Sequence, residues 1–333
     1  MKTVSIDVCN LCVPCRCFCR HCLLSSRGKA SGVSYERGKR FAARMHEEMK
    51  TAFPDLPFYY YIGYCMDTPE LFDYIRFCKE RGYPSGAMLQ MNGLRLRNRE
   101  DTRSLLSSVH EAGVEMIDLT FYGSREYHDA FAGRVGDYDF LLLLAEEACR
   151  LGLAVRLDMP LLRSNLSMTS RVLYAWSRCQ TENLYFFLPH SKGRGALMAD
   201  QRITQKEFDG LSDEVKRHFS KTEHRTEKEW LRLGQFPAME KRVLTLCLNP
   251  EEMDRFERMS AADMVSFLED MDDQYQAKMP PLAELAARYG DPNNEQLFRL
   301  RDLALLWSQK FIREQKEPIW DMHDERHHFS VYL

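Results

Sequence analysis

Six of the eleven cysteines in this 333-residue chain fall within fourteen positions: Cys9, Cys12, Cys15, Cys17, Cys19 and Cys22. In a reducing compartment such density reads as a metal site rather than a disulfide framework. Three spacings compete. Cys9-x2-Cys12-x2-Cys15-x3-Cys19 matches the start of a bacterial ferredoxin ligand run, although Arg20 stands where that run has Pro. Cys15-x3-Cys19-x2-Cys22 places three thiolates in one tight loop. Three thiolates hold three irons of a [4Fe–4S] cube and leave the fourth open to a substrate or cofactor. The two registers share Cys15 and Cys19, so both cannot be complete. A zinc site is the third reading, but structural zinc sites usually set two close pairs roughly a dozen or more residues apart. Spacing alone also leaves a metallothionein-like cluster open.

The elements that must position this loop alternate. Val4–Val8 reads as a short strand that runs straight into the cysteines. Helical spacing over Tyr35–Lys50 precedes an apolar aromatic run, Phe58–Ile62, which ends at Gly63. Helix and strand then alternate through Pro69–Arg81, Ala87–Met91, Arg99–Ala112, Val114–Phe121, Tyr138–Arg150, Leu153–Leu161, Ser167–Arg178 and Leu184–Leu188. About six strand–helix units with glycines at the helix stops predict a parallel sheet with helices outside, open or barrel-like. In such folds functional groups gather at the carboxyl ends of the strands, where the cysteine loop sits. From about Thr204 the pattern becomes helical, over Glu223–Leu233, Pro250–Met271 and Glu295–Gln315. The tail beyond Ile319 is dense in His, acids and aromatics, including His323, His327 and His328, and suggests a surface helix or docking segment, closing with a short strand at 329–332.

Basic and acidic residues nearly cancel, 46 against 49, so no chain-wide field favours nucleic acid or an anionic membrane. Neither is expected as a partner. Residues 1–7 lack the apolar core of a signal peptide, and no stretch approaches the roughly 18 apolar residues of a membrane span. The longest block, Phe140–Ala145, runs directly into Glu146 and Glu147. A soluble cytoplasmic protein is the expectation.

Cys15-Arg16-Cys17-Phe18-Cys19-Arg20-His21-Cys22 resembles the CxxxCxxC loop of the radical S-adenosylmethionine (SAM) enzyme superfamily, with His21 where that family commonly has an aromatic residue. Leu89–Gly93 resembles its third-strand ending. Asp118–Gly123, followed by His128-Asp129 and Arg134-Val135-Gly136, resembles its fourth strand and loop, and Pro189–Gly195 the turn after its sixth. The resemblance covers roughly Lys2 to Thr204. It implies an α/β fold, a partial (β/α)6 TIM-like barrel over residues 1–204, with a mainly helical C-terminal extension over 205–333. It also implies Cys15, Cys19 and Cys22 as ligands of a [4Fe–4S] cluster, and SAM as cofactor. An electron from the reduced cluster then cleaves SAM to methionine and a 5′-deoxyadenosyl radical, which abstracts hydrogen from a peptide or small-molecule substrate. The electron comes from a donor such as flavodoxin or ferredoxin.

The family's Gly-Gly-Glu-Pro stretch, which binds the cofactor's amino group, is replaced here by Ile62–Pro69. Backbone around Gly63, with Asp67 in place of the acid, takes that role in this reading. Asn92 and Thr120, at presumed strand ends, are candidates to touch the cofactor, although such residues also simply cap loops. Arg156 suits the cofactor carboxylate if it faces the barrel interior. Cys9, Cys12, Cys17 and Cys65 read first as small packing residues. His190, Lys192 and Arg194 suit either an anionic group or a solvated turn. No cysteine group after Cys179 supports an auxiliary-cluster (SPASM-type) extension, since Cys247 stands alone. The alternative from another class is an iron–sulfur electron-transfer or metal-binding protein built on the Cys9–Cys22 run.

Overall fold

The computed structural model describes residues 2–22, 30–63, 65–179, 181, 183–191, 193–236 and 241–316. The tail helix and strand expected beyond residue 319, and Lys192, lie outside the described residues. Strand β1 (Lys2–Cys9) leads into the cysteine loop. It is followed by α1 (Tyr35–Ala52), β2 (Phe58–Tyr61), α2 (Leu71–Glu80), β3 (Met88–Gln90), α3 (Arg99–Glu111) and β4 (Met116–Thr120). Next come α4 (Arg125–Ala132), α5 (Asp137–Arg150), β5 (Ala154–Pro160), α6 (Thr169–Trp176) and β6 (Leu184–Phe187). Beyond them lie α7 (Gln205–Asp209), α8 (Asp213–Arg217), β7 (Arg225–Thr226), α9 (Glu227–Arg232) and β8 (Lys241–Cys247). The chain closes with α10 (Met253–Phe256), α11 (Ala261–Lys278), α12 (Leu282–Tyr289), β9 (Leu297–Phe298) and α13 (Leu300–Glu314).

Strands β3-β4-β5-β6 form one parallel sheet and β2-β1-β8 another, and among the described residues no ladder joins β2 to β3. This is the alternating α/β arrangement expected from the sequence. Period-two alternation sorts the side chains. Ile6 and Val8 of β1, Ile117 and Leu119 of β4, and Val155 and Leu157 of β5 enter the core that also holds Phe41, Met45, Leu141 and Leu144 of the helices. Ser5, Asp7, Asp118, Arg156 and Asp158 therefore face the opposite, hollow side. Among the described residues no helix is long and apolar enough to cross a membrane.

The segment after 204 does more than add helices. Its strand β8 pairs in parallel with β1, Asp7 opposite Thr245 and Cys9 opposite Cys247. Buried Arg242 of β8 binds Asp272 (3.0 Å) and Asp273 (2.6 Å) of α11, fixing that helix over the strand. The helix expected over Pro250–Met271 is two helices, because Ser260 accepts from the Asp263 N–H and starts α11 afresh in a capping box. Thr226 and Glu229 form another box, so the helix expected from Glu223 begins at Glu227. The helix expected from Glu295 starts at Leu300, after the short strand β9.

Helix α13 is tied to the turn after β6 by Asp302, fully buried, which accepts from Arg299 at 2.8 and 3.0 Å and lies 3.8 Å from His190. Burial pushes this carboxyl up, but Arg299 and Arg202 outweigh it and hold it at about 2. Its folded value lies below the unfolded one, so its stabilisation is complete above roughly pH 4 and is lost as pH falls through about 2. Asp302→Asn should cost roughly 3 kcal/mol at pH 7. Paired urea melts at pH 7 and pH 3 should show the gap between wild type and variant shrinking in acid.

Candidate functional site

The cysteine loop is pinned by backbone at three places. Arg16 N–H donates to Gly93 O (3.0 Å), while Phe18 and Arg20 N–H donate to Ala132 O (2.7 Å) and Phe131 O (3.0 Å) at the end of α4. Arg194 grips the far end. Its guanidinium donates to Cys19 O (2.6 Å) and lies 3.8 Å from the Phe18 ring centroid, and its N–H donates to Cys22 O (3.2 Å). Cys22 N–H closes a tight turn to Cys19 O at 3.1 Å. Arg194 is thus committed to the loop rather than to an anion, and His190 lies 2.9 Å from Arg299.

The sulfurs fall into donors and acceptors. Cys15 Sγ accepts from the Cys17 N–H at 3.4 Å, and the neighbouring Cys17 and Cys65 thiols lower it below the ordinary thiol range against burial. Cys19 is lowered as well, by the Cys17 thiol against burial, helped by the Tyr122 hydroxyl 3.3 Å away. Cys17 and Cys65 are correspondingly pushed far up, first of all by donating to Cys15. Metals bind the thiolate, and the hydrogen bonds that the Cys15 and Cys19 sulfurs accept favour that form. Cys12 points to Ile62 O (3.8 Å), and burial pushes it up to about 11. Cys9 is buried in β1 beside Cys247, and burial raises it well above its ordinary value. The ferredoxin register would need both.

Gly93 is required where it stands. Its φ is +80°, and a Cβ there would meet Cys15 Sγ at 2.4 Å and Cys65 Sγ at 3.6 Å. Asn92, beside it, accepts from Thr120 N–H (2.8 Å) and donates to Thr120 O (2.9 Å), tying the ends of β3 and β4 together. Gly63 (φ +139°) follows β2 against Val13. Under Cys17 lies a buried relay. Its thiol reaches Asp137 (3.6 Å), which binds His128 Nε2 (3.0 Å) and Arg134, and His128 Nδ1 accepts from Tyr122 N–H (3.1 Å). Burial raises the Asp137 carboxyl, but His128 and Arg134 outweigh it and keep it low. His21 packs against Tyr122 and Phe131, centroids 5.1 and 5.5 Å away, and burial lowers it to about 4, so it is neutral.

Two of the expected cofactor residues are engaged within the protein. The buried Asp67 carboxylate binds Arg97 (2.8 Å), Arg95 (3.0 Å) and Arg16 (3.7 Å), and the first two hold it below its usual range against burial. Arg156 does face the hollow side, but its partners are Asp118 (2.5 Å) and Asp158 (3.3 Å), two residues below the strand end marked by Thr120. The structure thus gathers Cys15, Cys19, Gly93, Asn92 and Thr120 at one rim and sets Arg156 deeper. Asp137, Tyr122 and Arg194 are positioning residues whose roles sequence reasoning missed; the one local sign was Asp137 three residues after Arg134. Among the described residues no three His, Cys, Asp or Glu side chains converge as a single-ion site requires. The ligands of a cube instead occupy separate corners.

No family profile and no curated protein matches the chain. Its fold does match solved structures. SuiB from Streptococcus suis, bound to the precursor peptide SuiA, aligns over 74% of this chain and 58% of its own, with TM-score 0.52 and 10% identity. SuiB bound to S-adenosylmethionine aligns over 73% and 58%, with TM-score 0.50 and 9% identity. Coproporphyrinogen III oxidase (HemN) from Escherichia coli, described as a radical SAM enzyme, aligns over 93% and 90%, with TM-score 0.43 and 12% identity. This chain shares the fold of SuiB. It spans 58% of the length of SuiB.

Within this fold the cysteine loop follows the carboxyl end of β1, and Gly93 sets how closely β3 approaches it. Gly93→Ala should dislodge Cys15 and lower iron bound per chain after anaerobic reconstitution by roughly threefold or more. Gly152 (φ +81°) has nothing within 4 Å, so Gly152→Ala carries the backbone strain without the clash and should load iron normally.

Proposed function

We propose that this chain is a radical SAM enzyme whose [4Fe–4S] cluster is held by Cys15, Cys19 and Cys22 and whose substrate is a peptide or small molecule, a peptide in the first instance. One observation carries the reading: Cys15 and Cys19 lie in a backbone-pinned loop at the strand ends, each sulfur accepting a hydrogen bond from a neighbour. The donor set fits an iron–sulfur cube. It offers soft sulfur ligands within eight residues, with a bare glycine against the Cys15 sulfur and the Tyr122 hydroxyl against that of Cys19. Bound and reduced, such a cluster supplies the cleavage of SAM to methionine and a hydrogen-abstracting 5′-deoxyadenosyl radical.

The protein's part is to hold and shield. The Cys17 N–H and the Tyr122 hydroxyl direct hydrogen bonds at the Cys15 and Cys19 sulfurs, the kind of contact that sets cluster potential. Gly63, Asn92 and Thr120 border the space assigned to SAM. Asp67 acts there through the arginines it holds, Arg16 and Arg95 being the exposed ones. Exposed Arg16, Phe18 and Arg20 give a flavodoxin- or ferredoxin-type donor access to the loop. The peptide preference is supported by SuiB, which was solved with a precursor peptide.

Anaerobic reconstitution, followed by dithionite and SAM, should yield 5′-deoxyadenosine and methionine. A folded, iron-loaded protein that neither binds SAM nor forms 5′-deoxyadenosine sinks the enzyme reading. Cys22→Ala should abolish the cluster's visible absorption and iron, while Cys9→Ala and Cys12→Ala should leave both. The reverse pattern would favour the ferredoxin register and electron transfer.

A further inference from the structure

Below the cysteine rim the hollow side of the sheets holds charges that cluster assembly does not use. Asp7 of β1, Thr245 of β8, Asp118 of β4, and Arg156 and Asp158 of β5 occupy the inward-facing positions. The three carboxyl residues are 2%, 6% and 6% exposed, and the latter two share one guanidinium, that of Arg156. Two buried carboxyl oxygens here accept from no N–H or hydroxyl donor, Asp118 Oδ1 and Asp158 Oδ1, and the two carboxyls are close enough to share a proton between them. Arg156 Nε is also unaligned, but it already faces Asp158 Oδ1 at 3.3 Å. Unspent acceptor capacity therefore exceeds unspent donor capacity. Buried acceptors without partners are costly, and a native site that keeps them is built for something that arrives.

A route exists. A cavity of about 240 Å³ is lined by Leu11, Tyr61, Gly63, Met66, Met88 and Asp118, residues from either side of the β2/β3 gap where no ladder forms. Its wall is mainly apolar, and Asp118 brings to it a carboxylate with one oxygen unpartnered. Burial raises Asp7 to about 7, and burial with the neighbouring Asp118 raises Asp158 to about 8, as expected for carboxyls short of a counter-cation.

We propose that this hollow anchors a cationic nitrogen of the substrate, an ammonium or guanidinium on an apolar stem, with Asp118 and Asp158 as its counter-ions. The inference deepens the radical SAM reading and rests on it only in naming the ligand a substrate. An anion is disfavoured because the one cation present already serves two carboxylates. A neutral apolar group would leave the orphaned acceptors as they are.

The test uses the full chain without iron or SAM. Calorimetric titration compares butylammonium with n-butanol, and Nα-acetyl-lysine amide with Nα-acetyl-norleucine amide. Each cation should bind about tenfold or more tighter than its neutral isostere, and Asp118→Asn and Asp158→Asn should each remove about tenfold of that preference. Tighter binding of the capped lysine assigns the group to a peptide side chain, and tighter binding of butylammonium to a small amine. Equal binding of cation and isostere, no binding of either, or folded variants that keep the full preference overturns the proposal. Should Asp118→Asn fail to melt cooperatively, Asp158→Asn carries the same comparison. 5′-Deoxyadenosine formation by iron-loaded wild type is scored separately. Its absence with the preference intact removes only the radical reading, and its presence with no preference removes only this one.

Discussion

A loop that lends its sulfurs to a cluster cannot use those sulfurs to hold itself together. Its shape has to come from backbone hydrogen bonds and from neighbours, and here those neighbours arrive from three separate strand–helix units. Gly93 follows β3, Phe131 and Ala132 end α4, and Arg194 lies in the turn after β6. Parallel strands explain why they can converge. Each βα connection emerges at the same end of its sheet, so residues distant in sequence share one rim. The alternating fold is the means by which a short cysteine segment acquires fixed walls.

The second layer of support is electrostatic and buried. Asp137 with His128 and Arg134 removes charge from water at a cost that only complete pairing offsets. What that placement provides is direction. Asp137 takes the Cys17 thiol on one side, His128 orders the Tyr122 backbone on the other, and the Tyr122 hydroxyl then addresses Cys19. Asp67 does the same work at the opposite flank, drawing Arg16 of the loop toward Arg95 and Arg97. Neither device resembles a ligand site once its partners are visible, although both involve residues that a motif search singles out or passes close to.

This explains which features were legible in the sequence. Strand–helix alternation shows because each outer face is apolar at period two or 3.6, and the cysteine register shows because ligand spacing is local. Strand β8 was missed because Val243–Leu248 is a nearly continuous apolar run, buried on both faces, with no alternation to mark it. Its partner lies more than two hundred residues away. The face of Arg156 was undecidable without register, and Arg194 looked available because its carbonyl acceptors lie some 175 residues earlier. Period and local spacing are written in the chain; pairing across the fold is not.

The same alternation that sends apolar residues outward obliges the inward positions to be filled by something else, and in a closed, dry barrel they would be apolar as well. Here they are Asp7, Asp118, Arg156 and Asp158, beside an unladdered β2/β3 gap. Polar groups are tolerated in such a position when an occupant completes their hydrogen bonding. Asp118 lies two residues below Thr120, a drop of roughly 7 Å along the strand. A head group anchored at Asp118 therefore carries its apolar stem back up toward the rim formed by Cys15, Gly93 and Thr120. The depth of Asp118 matches the length of an extended side chain, so that anchor leaves stem carbons, rather than the charged head, at the level of the cysteine loop.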